Sequence, residues 1–223
     1  MEMMPLMSED EQYALGFKAG EILRKIHTLP APMDAEPWDS WFWHRVQERI
    51  DYYNTSSIKS ENGDRIVRFL QDNKSLLKNR PQTFNHGDFY KSNLIIMPDG
   101  QIGVIDYRAY DKDHGDPWRE FDQTNWGGEA DEYLWTGLIN GYFRNPQSAD
   151  GFTLPNDFFL LLTYYLSYNA LVPLCDGDAS GHQGYIQEGK WRLNNILRWF
   201  DNMNSSVPTW YQEDFIIVDT KNS

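Results

Sequence analysis

Two short β-prone runs that flank Pro98-Asp99-Gly100 constrain the fold of this chain more than any other feature. The runs cover residues 94–97 and 101–106. Asp-Gly between apolar runs is the strongest short-range signal for a β-hairpin with a two-residue turn. Counting outward from such a turn places Asn93 opposite Asp106. The sequence therefore predicts a hairpin whose two polar ends meet.

The polar ends of this hairpin have the side chains of a divalent-cation site. Directly opposed residues of an antiparallel pair have Cβ atoms about 4.5–5.5 Å apart, so the amide oxygen of Asn93 and the carboxylate of Asp106 can reach one cation. Oxygen ligands of this kind suit Mg²⁺. Asp88 lies just before the hairpin, in His86-Gly87-Asp88, and could accept a proton from a hydroxyl held beside the metal. A base with two magnesium ligands is typical of phosphoryl transfer.

The His-Gly-Asp triplet occurs twice in the chain, which provides an internal control. Aspartate beside glycine is often a turn residue, so the triplet alone means little. Five residues after Asp88 stands Asn93, whereas five residues after Asp116 stands Phe121. Because only the first copy is followed by the second oxygen ligand and the hairpin, we assign the site to that copy.

These motifs resemble the catalytic core of the aminoglycoside phosphotransferase and choline kinase group, which has a protein-kinase-like fold. The group's pattern is H-G-D-x-x-x-x-N, a hairpin, I-D, and G-D-P followed by an aspartate. The matching positions here are His86, Gly87, Asp88, Asn93, Ile105, Asp106, Gly115, Asp116, Pro117 and Asp122. The resemblance implies that Asp88 is the catalytic base, that Asn93 and Asp106 hold Mg²⁺, and that ATP or GTP is the phosphoryl donor.

The resemblance also implies roles for residues around the motif. His86 and Asp122 are expected to brace the catalytic loop. The acceptor is expected to lie between the hairpin and the C-terminal helices, where acidic and aromatic side chains can bind an amine. The candidates for this substrate site are Glu120, Trp126 and Glu129, together with Asp131 and Glu132.

The function implied by the resemblance is transfer of the γ-phosphoryl group to a hydroxyl of a small, amine-bearing molecule. An alternative is a non-catalytic lobe that binds a small molecule or a protein. A metal-dependent phosphoesterase is a weaker third hypothesis, because such enzymes need several histidine ligands and the five histidines here are scattered.

Kinases of this type also have a small β-rich N-terminal lobe with a phosphate-covering loop and a strand lysine. Residues 1–7 are too few to form it, and no glycine-rich phosphate loop is evident elsewhere. We therefore expect residues 1–223 to form a single domain, the C-terminal catalytic and acceptor-binding lobe, without the N-terminal lobe. The missing lobe could come from another chain, and the uncovered surface could drive self-association.

The composition of the chain limits its possible binding partners and its cellular compartment. The net charge of −13 and pI near 4.7 disfavour a nucleic-acid partner and suit a cationic acceptor, although solubility alone also explains acidity. The apolar stretch 158–166 is too short to cross a bilayer, so no membrane partner is expected. One cysteine, Cys175, rules out an intrachain disulfide. These features favour a cytoplasmic protein.

Hydrophobic periodicity predicts a mostly helical chain. Ser8 and Glu11 form a capping box that opens the first helix. The expected helices are residues 8–27, 38–53, 64–77, 118–126, 129–143, 156–174 and 182–203. The predicted class is α+β, a mainly helical kinase-like C-terminal lobe around a small catalytic β-hairpin.

Overall fold

The computed structural model describes residues 7–98, 100–108, 112–123, 131–213 and 215. The helices within these ranges are α1 (Glu9–Ile26), α2 (Trp38–Thr55), α3 (Glu61–Asp72), α4 (Glu132–Tyr142), α5 (Phe158–Ser180) and α6 (Gln183–Trp199). The strands are β1 (Thr83–Phe84), β2 (Leu94–Ile96), β3 (Ile102–Val104) and β4 (His114–Gly115). This confirms the predicted class of a mainly helical α+β lobe with a small hairpin.

Helix α1 begins at the predicted capping box. The backbone N–H of Glu11 donates to Ser8 Oγ at 3.3 Å, and the N–H of Ser8 donates to Glu11 Oε2 at 2.8 Å. The two reciprocal bonds satisfy backbone donors that a helix start leaves unpaired. The sequence rule therefore located this helix start correctly.

Glycines allow α1 to pack directly on α4. A Cβ atom at Gly16 would lie 2.0 Å from the carbonyl oxygen of Leu134, and one at Gly20 would lie 2.1 Å from that of Leu138. Gly141 on α4 would meet the carbonyl oxygen of Phe17 at 2.0 Å in the same way. The two backbones are in contact, so only glycine fits at these positions.

The core centres on α5, which packs against α2, α3 and α6. Phe158, Tyr164 and Tyr165 are fully buried on it. Its length and hydropathy meet those of a membrane span, and 78% of the apolar window is buried inside the fold. A buried core helix accounts for this composition, and the helix is longer than the apolar stretch recognised in the sequence.

The hairpin forms, but its register differs from the predicted one. Leu94 pairs with Val104 and Ile96 with Ile102, so the turn encloses three residues and not two. Gly100 has φ +76°, which suits a three-residue loop ending in a left-handed glycine. The predicted pairing of Asn93 with Asp106 is therefore wrong.

Because of this shift, Asn93 lies opposite Ile105, whose N–H donates to the Asn93 carbonyl at 3.0 Å. Asp106 follows directly after this pair and has φ +60°. A left-handed conformation is costly for a residue other than glycine, and such residues cluster at functional sites. The chain thus turns sharply at the predicted metal ligand.

A second small sheet pairs the strand before the first His-Gly-Asp triplet with the strand that contains the second triplet. β1 pairs antiparallel with β4, with Thr83 opposite Gly115 and Phe84 opposite His114. A Cβ atom at Gly115 would lie 2.4 Å from the Trp38 ring. The second His-Gly-Asp triplet is therefore packed into this sheet, where it has a structural role.

The remaining differences between the expected helices and the observed ones concern where helices end and which type of helix forms, and sequence rules are weakest at helix ends. The helix expected over 64–77 ends at Asp72 and continues as a separate 3₁₀ turn, Lys74–Leu77. The helix expected over 118–126 is a 3₁₀ helix, Pro117–Gln123, and the end of that prediction lies outside the described residues.

Candidate active site

The catalytic loop, defined here as residues 85–93, connects β1 to β2. Gly87 has φ +81°, and a Cβ atom there would lie 1.7 Å from the carbonyl oxygen of Arg108. The N–H of Arg108 donates to the carbonyl of His86 at 2.9 Å. Only glycine can occupy this position, because the loop crosses in backbone contact with the segment that follows β3.

Glu120 holds the catalytic loop through hydrogen bonds to its backbone. It is 4% exposed, and its carboxylate accepts the N–H of His86 at 2.9 Å and the N–H of Gly87 at 2.8 Å. In this geometry both oxygens of Glu120 are used by the loop backbone, and the acceptor role expected for it stays a prediction. Asp122 is 1% exposed with its carboxylate 3.8 Å from Arg119 Nε, and the bracing role expected for it stays a prediction.

The Glu120 carboxyl has a perturbed pKa. Burial raises this pKa from 4.5 to about 7, and the nearby Asp122 charge adds to the rise. The two backbone N–H donors and Arg119 act in the opposite direction. Removal from water penalises the charged form more than these donors stabilise it.

His86 lies where the two predicted carboxylates meet. It is 5% exposed, and its Nδ1 accepts the Asp88 N–H at 3.3 Å. Its ring also forms a hydrogen bond with the backbone of Ile105. Burial lowers the pKa of His86, while that hydrogen bond and the charges of Asp88 and Asp106 oppose the shift. A neutral His86 thus ties the catalytic loop to the residue before Asp106.

This network brings Asp88 and Asp106 close enough to His86 for both charges to act on its imidazole. Asp88 is half-buried and Asp106 is exposed. Asn93 is 6% exposed, and its Nδ2 donates to the carbonyl of Asp88 at 2.8 Å. The side chains assigned as base and ligands therefore come from one connected unit, although the hairpin register differs from the predicted one.

The donor atoms of this unit fit a magnesium ion. The hydrogen bond from Asn93 Nδ2 fixes the amide. Its Oδ1 accepts the Ser92 hydroxyl at 3.4 Å and keeps a second lone pair for a metal ion. Asp106 supplies an exposed carboxylate. Among the described residues, no group of three or more His, Cys, Asp or Glu side chains could hold a metal. Two protein oxygens suit Mg²⁺, which usually takes its remaining ligands from water and phosphate.

Asp116 anchors the start of the loop from the core. It is fully buried, and its carboxylate accepts Arg80 Nε at 2.5 Å and the Tyr165 hydroxyl at 2.7 Å. Asn85 Nδ2 donates to the Asp116 carbonyl at 3.3 Å. The Arg80 guanidinium lies 3.9 Å from the centre of the Trp118 ring. This cluster holds the residue before His86 in place.

Sequence analysis missed an ion pair between the catalytic loop and α4. Lys91 Nζ bonds the carboxylate of Asp131, the residue before α4, and the two side chains are 24% and 6% exposed. Tyr90 stacks on Trp135 of the same helix at 6.2 Å. Lys91 and Asp131 are 40 residues apart, so no local pattern could have indicated the pairing.

Two further candidates for the acceptor site, Trp126 and Glu129, lie outside the described residues. Glu132 accepts a hydrogen bond from Gln212 Nε2 at 3.0 Å. The acceptor site thus stays a prediction that the described part of the chain does not test.

The hairpin and the segment after it expose large hydrophobic side chains. The exposed residues are Ile95 at 45%, Ile96 at 48%, Met97 at 39%, Ile105 at 43% and Tyr107 at 47%. Contiguous exposed apolar side chains mark binding surfaces. This surface directly adjoins Asp106.

The sequence matches the model of a known protein family. Residues 2–152 match the family model described as the phosphotransferase enzyme family, APH. No protein with a curated description matches the sequence.

Two solved structures have a similar fold. A choline/ethanolamine kinase family protein from Mesorhizobium loti has a TM-score of 0.61 and 15% identity, over 90% of this chain and 69% of that one. The protein of the gentamicin-APH(2")-IIa complex has a TM-score of 0.56 and 16% identity, over 86% of this chain and 65% of that one. Together with the family match, which covers more than half of its length, these comparisons show that the chain belongs to the phosphotransferase enzyme family and has a kinase-like fold.

Proposed function

We propose that this protein transfers the γ-phosphoryl group of ATP or GTP to a hydroxyl of a small, amine-bearing molecule. The observation that carries the proposal is the convergence of Asp88, Asn93 and Asp106 around His86. Membership of the phosphotransferase family supports the reaction class. The nucleotide as phosphoryl donor and the amine-bearing molecule as acceptor are proposed here in addition to the reaction class.

Asp88 acts as the base. It is half-buried, so it can contact substrate while its backbone stays fixed by the loop. Its N–H is held by His86 and its carbonyl by Asn93 Nδ2. A backbone fixed on both sides orients the carboxylate towards an acceptor hydroxyl without losing entropy at each turnover. Asp88 accepts the hydroxyl proton as the new P–O bond forms and the donor's β–γ bond breaks.

Asn93 and Asp106 would hold magnesium together with the nucleotide phosphates. The ion would neutralise part of the negative charge on the phosphates of the donor. His86 keeps the two ligand-bearing segments together, because it contacts the Asp88 N–H and the Ile105 backbone. The exposed apolar surface beside Asp106 is suited to the base of the nucleotide.

A cationic acceptor fits the charge of the protein. The net charge of −13 attracts an amine by long-range electrostatics. The start of α4 carries Asp131 and Glu132, and Asp131 already binds the ammonium of Lys91 from the catalytic loop. We propose that the acceptor amine lies near this start of α4.

A second candidate function is binding without catalysis. It is favoured by the five large hydrophobic side chains exposed on the hairpin and the segment after it, which a further polypeptide could cover. The chain spans only 69% and 65% of the two similar solved chains. Phosphoryl transfer by a protein of their full length is therefore a proposal for this chain.

The test of catalysis is the turnover of Asp88→Asn. Asparagine keeps the size of the side chain but is a far weaker proton acceptor, so we expect turnover to fall by about 10²–10⁴-fold with unchanged thermal unfolding. Asp150→Asn, at an exposed loop position, is the matched control and should keep full turnover. Normal turnover in Asp88→Asn would reject the assignment of the base.

Titration of MgATP by calorimetry separates the two candidate functions. A phosphotransferase site should bind MgATP in the unmodified chain and in Asp150→Ala, and binding should be lost in Asp106→Ala. A lobe that only binds a partner should show no MgATP binding in any of the three.

A further inference from the structure

An open cleft lies at the C-terminal ends of α1 and α4, away from the catalytic loop. Its volume is about 750 Å³, and its lining includes Arg24, Lys25 and Thr28 of α1 and the turn after it, and residues 144–147 after α4. An adjoining hollow of about 440 Å³ shares Arg24, Thr28 and Arg144 with it and reaches His27. Volumes of 300 to 1,000 Å³ are typical of small-molecule sites. No residue of the catalytic loop lines either space.

The cleft concentrates positive charge in an acidic protein. Arg24, Lys25 and Arg144 line it, and Glu21 is the acidic residue of the lining. Glu21 forms an ion pair with Arg144. Arg24 Nη1 donates to the Arg144 carbonyl at 2.8 Å, which keeps the two arginines side by side. The lining therefore carries a formal charge of +2, in a chain whose net charge is −13.

Helix ends explain only part of this arrangement. Basic side chains near helix C-termini are favoured by the helix dipole, and α1 and α4 both end here. That preference accounts for cations at each helix end separately. It does not account for three cations around one cleft whose lining has a single carboxylate, that of Glu21.

His27 lies at the inner wall of the adjoining hollow. It is 7% exposed, and its Nδ1 lies 2.9 Å from the Tyr142 hydroxyl. The backbone N–H of His27 donates to the Leu23 carbonyl of α1 at 3.0 Å. The other ring nitrogen, Nε2, is buried and has no hydrogen-bond partner within the described structure.

The unpaired Nε2 exposes less than 1 Å² to solvent, so it is enclosed by the fold and a ligand in the open hollow does not contact it. Burial lowers the pKa of His27 to about 3, so the ring is neutral at physiological pH. The charge of the cleft therefore comes from its arginines, its lysine and Glu21 alone.

We propose that this cleft binds a small phosphate-bearing anion. Arg24 and Arg144 would bind its phosphate oxygens, since guanidinium groups match phosphate geometry, and Lys25 would add a point charge. A doubly charged phosphate would balance the formal charge of the lining. The proposal does not depend on the proposed phosphotransferase reaction, because it uses none of the same residues.

Heteronuclear NMR titration at constant ionic strength tests this proposal. The probes are inorganic phosphate, glucose 6-phosphate and AMP, all without magnesium. We expect saturable amide shifts at Thr28 and Asn145, and the ranking of the three probes distinguishes a free phosphate, a sugar phosphate and a nucleotide. Absence of saturable shifts at these residues with all three probes would overturn the proposal.

Matched variants make the test specific. Arg24→Gln/Lys25→Gln should weaken binding at least tenfold, because both side chains are exposed at the cleft and leave the core intact. Lys59→Gln/Lys78→Gln removes the same charge from exposed positions elsewhere and should bind like the unmodified chain. Glu21→Gln removes the competing carboxylate and should tighten binding at least threefold. Equal losses in both double variants would show non-specific attraction and overturn the proposal.

Discussion

Replacement of Glu120 by glutamine should change how the stability of the lobe depends on pH. The pKa of Glu120 is raised to about 7 from a reference value of 4.5. Between these values the folded chain binds more protons than the unfolded chain, so stability falls as pH rises. At about 1.4 kcal/mol for each pKa unit, the loss between pH 4.5 and pH 7 is roughly 3 kcal/mol. Glutamine does not titrate and removes this contribution.

The substitution also affects the two hydrogen bonds beneath the catalytic loop. The carboxylate uses one oxygen for the His86 N–H and the other for the Gly87 N–H. Glutamine retains one oxygen and presents an amide NH₂ to the other donor. A buried donor left unpaired costs about 1–3 kcal/mol, so the variant should be less stable than the unmodified chain at pH 5.

Urea unfolding of both chains from pH 5 to pH 8 measures the effect. The difference in unfolding free energy should be largest at pH 5 and should shrink by roughly 3 kcal/mol as pH rises through 7. Other titrating groups are present in both chains and cancel in the difference. A difference that stays constant across this range would refute the account of Glu120.

Two further substitutions test the supports of the catalytic loop. Gly87→Ala should destabilise the lobe by about 1–3 kcal/mol more than Gly151→Ala in urea unfolding, because both glycines have positive φ but only at Gly87 does a Cβ atom meet a backbone oxygen, that of Arg108. Equal effects would mean that the backbone contact is unimportant. Asp116→Asn should cost about 3–5 kcal/mol of unfolding free energy, because it leaves the guanidinium of Arg80 without its buried carboxylate. A loss below 1 kcal/mol would contradict this.

Local rules predicted those features that depend on neighbouring residues. The capping box at Ser8 and Glu11 lies within one turn of helix, and the structure forms it as expected. The hairpin was also predicted, but a three-residue loop with a left-handed Gly100 competes with the two-residue turn, and the sequence does not decide between them. The resulting one-residue shift explains why Asn93 does not pair with Asp106.

Features that depend on distant segments could not be predicted. Glu120 bonds His86 and Gly87 from more than 30 residues away, so no local pattern indicated these hydrogen bonds. The Lys91–Asp131 ion pair could not be predicted for the same reason, because its two residues are 40 positions apart in the sequence. The acceptor roles of Trp126 and Glu129, a cytoplasmic location and the absence of a nucleic-acid partner stay predictions.

The most direct test of the central claim is paramagnetic broadening by Mn²⁺ added with ATP, recorded in heteronuclear NMR spectra of the chain. Mn²⁺ takes oxygen ligands like those of Mg²⁺ and broadens signals near it. The account predicts selective loss of the Asn93 side-chain amide signal and of the Asp88 and Asp106 backbone signals. The Asn93 and Asp88 signals should persist in Asp106→Ala, and all three signals should disappear as before in Asp150→Ala. Broadening centred elsewhere, or unchanged in Asp106→Ala, would contradict the assignment of Asn93 and Asp106 as metal ligands.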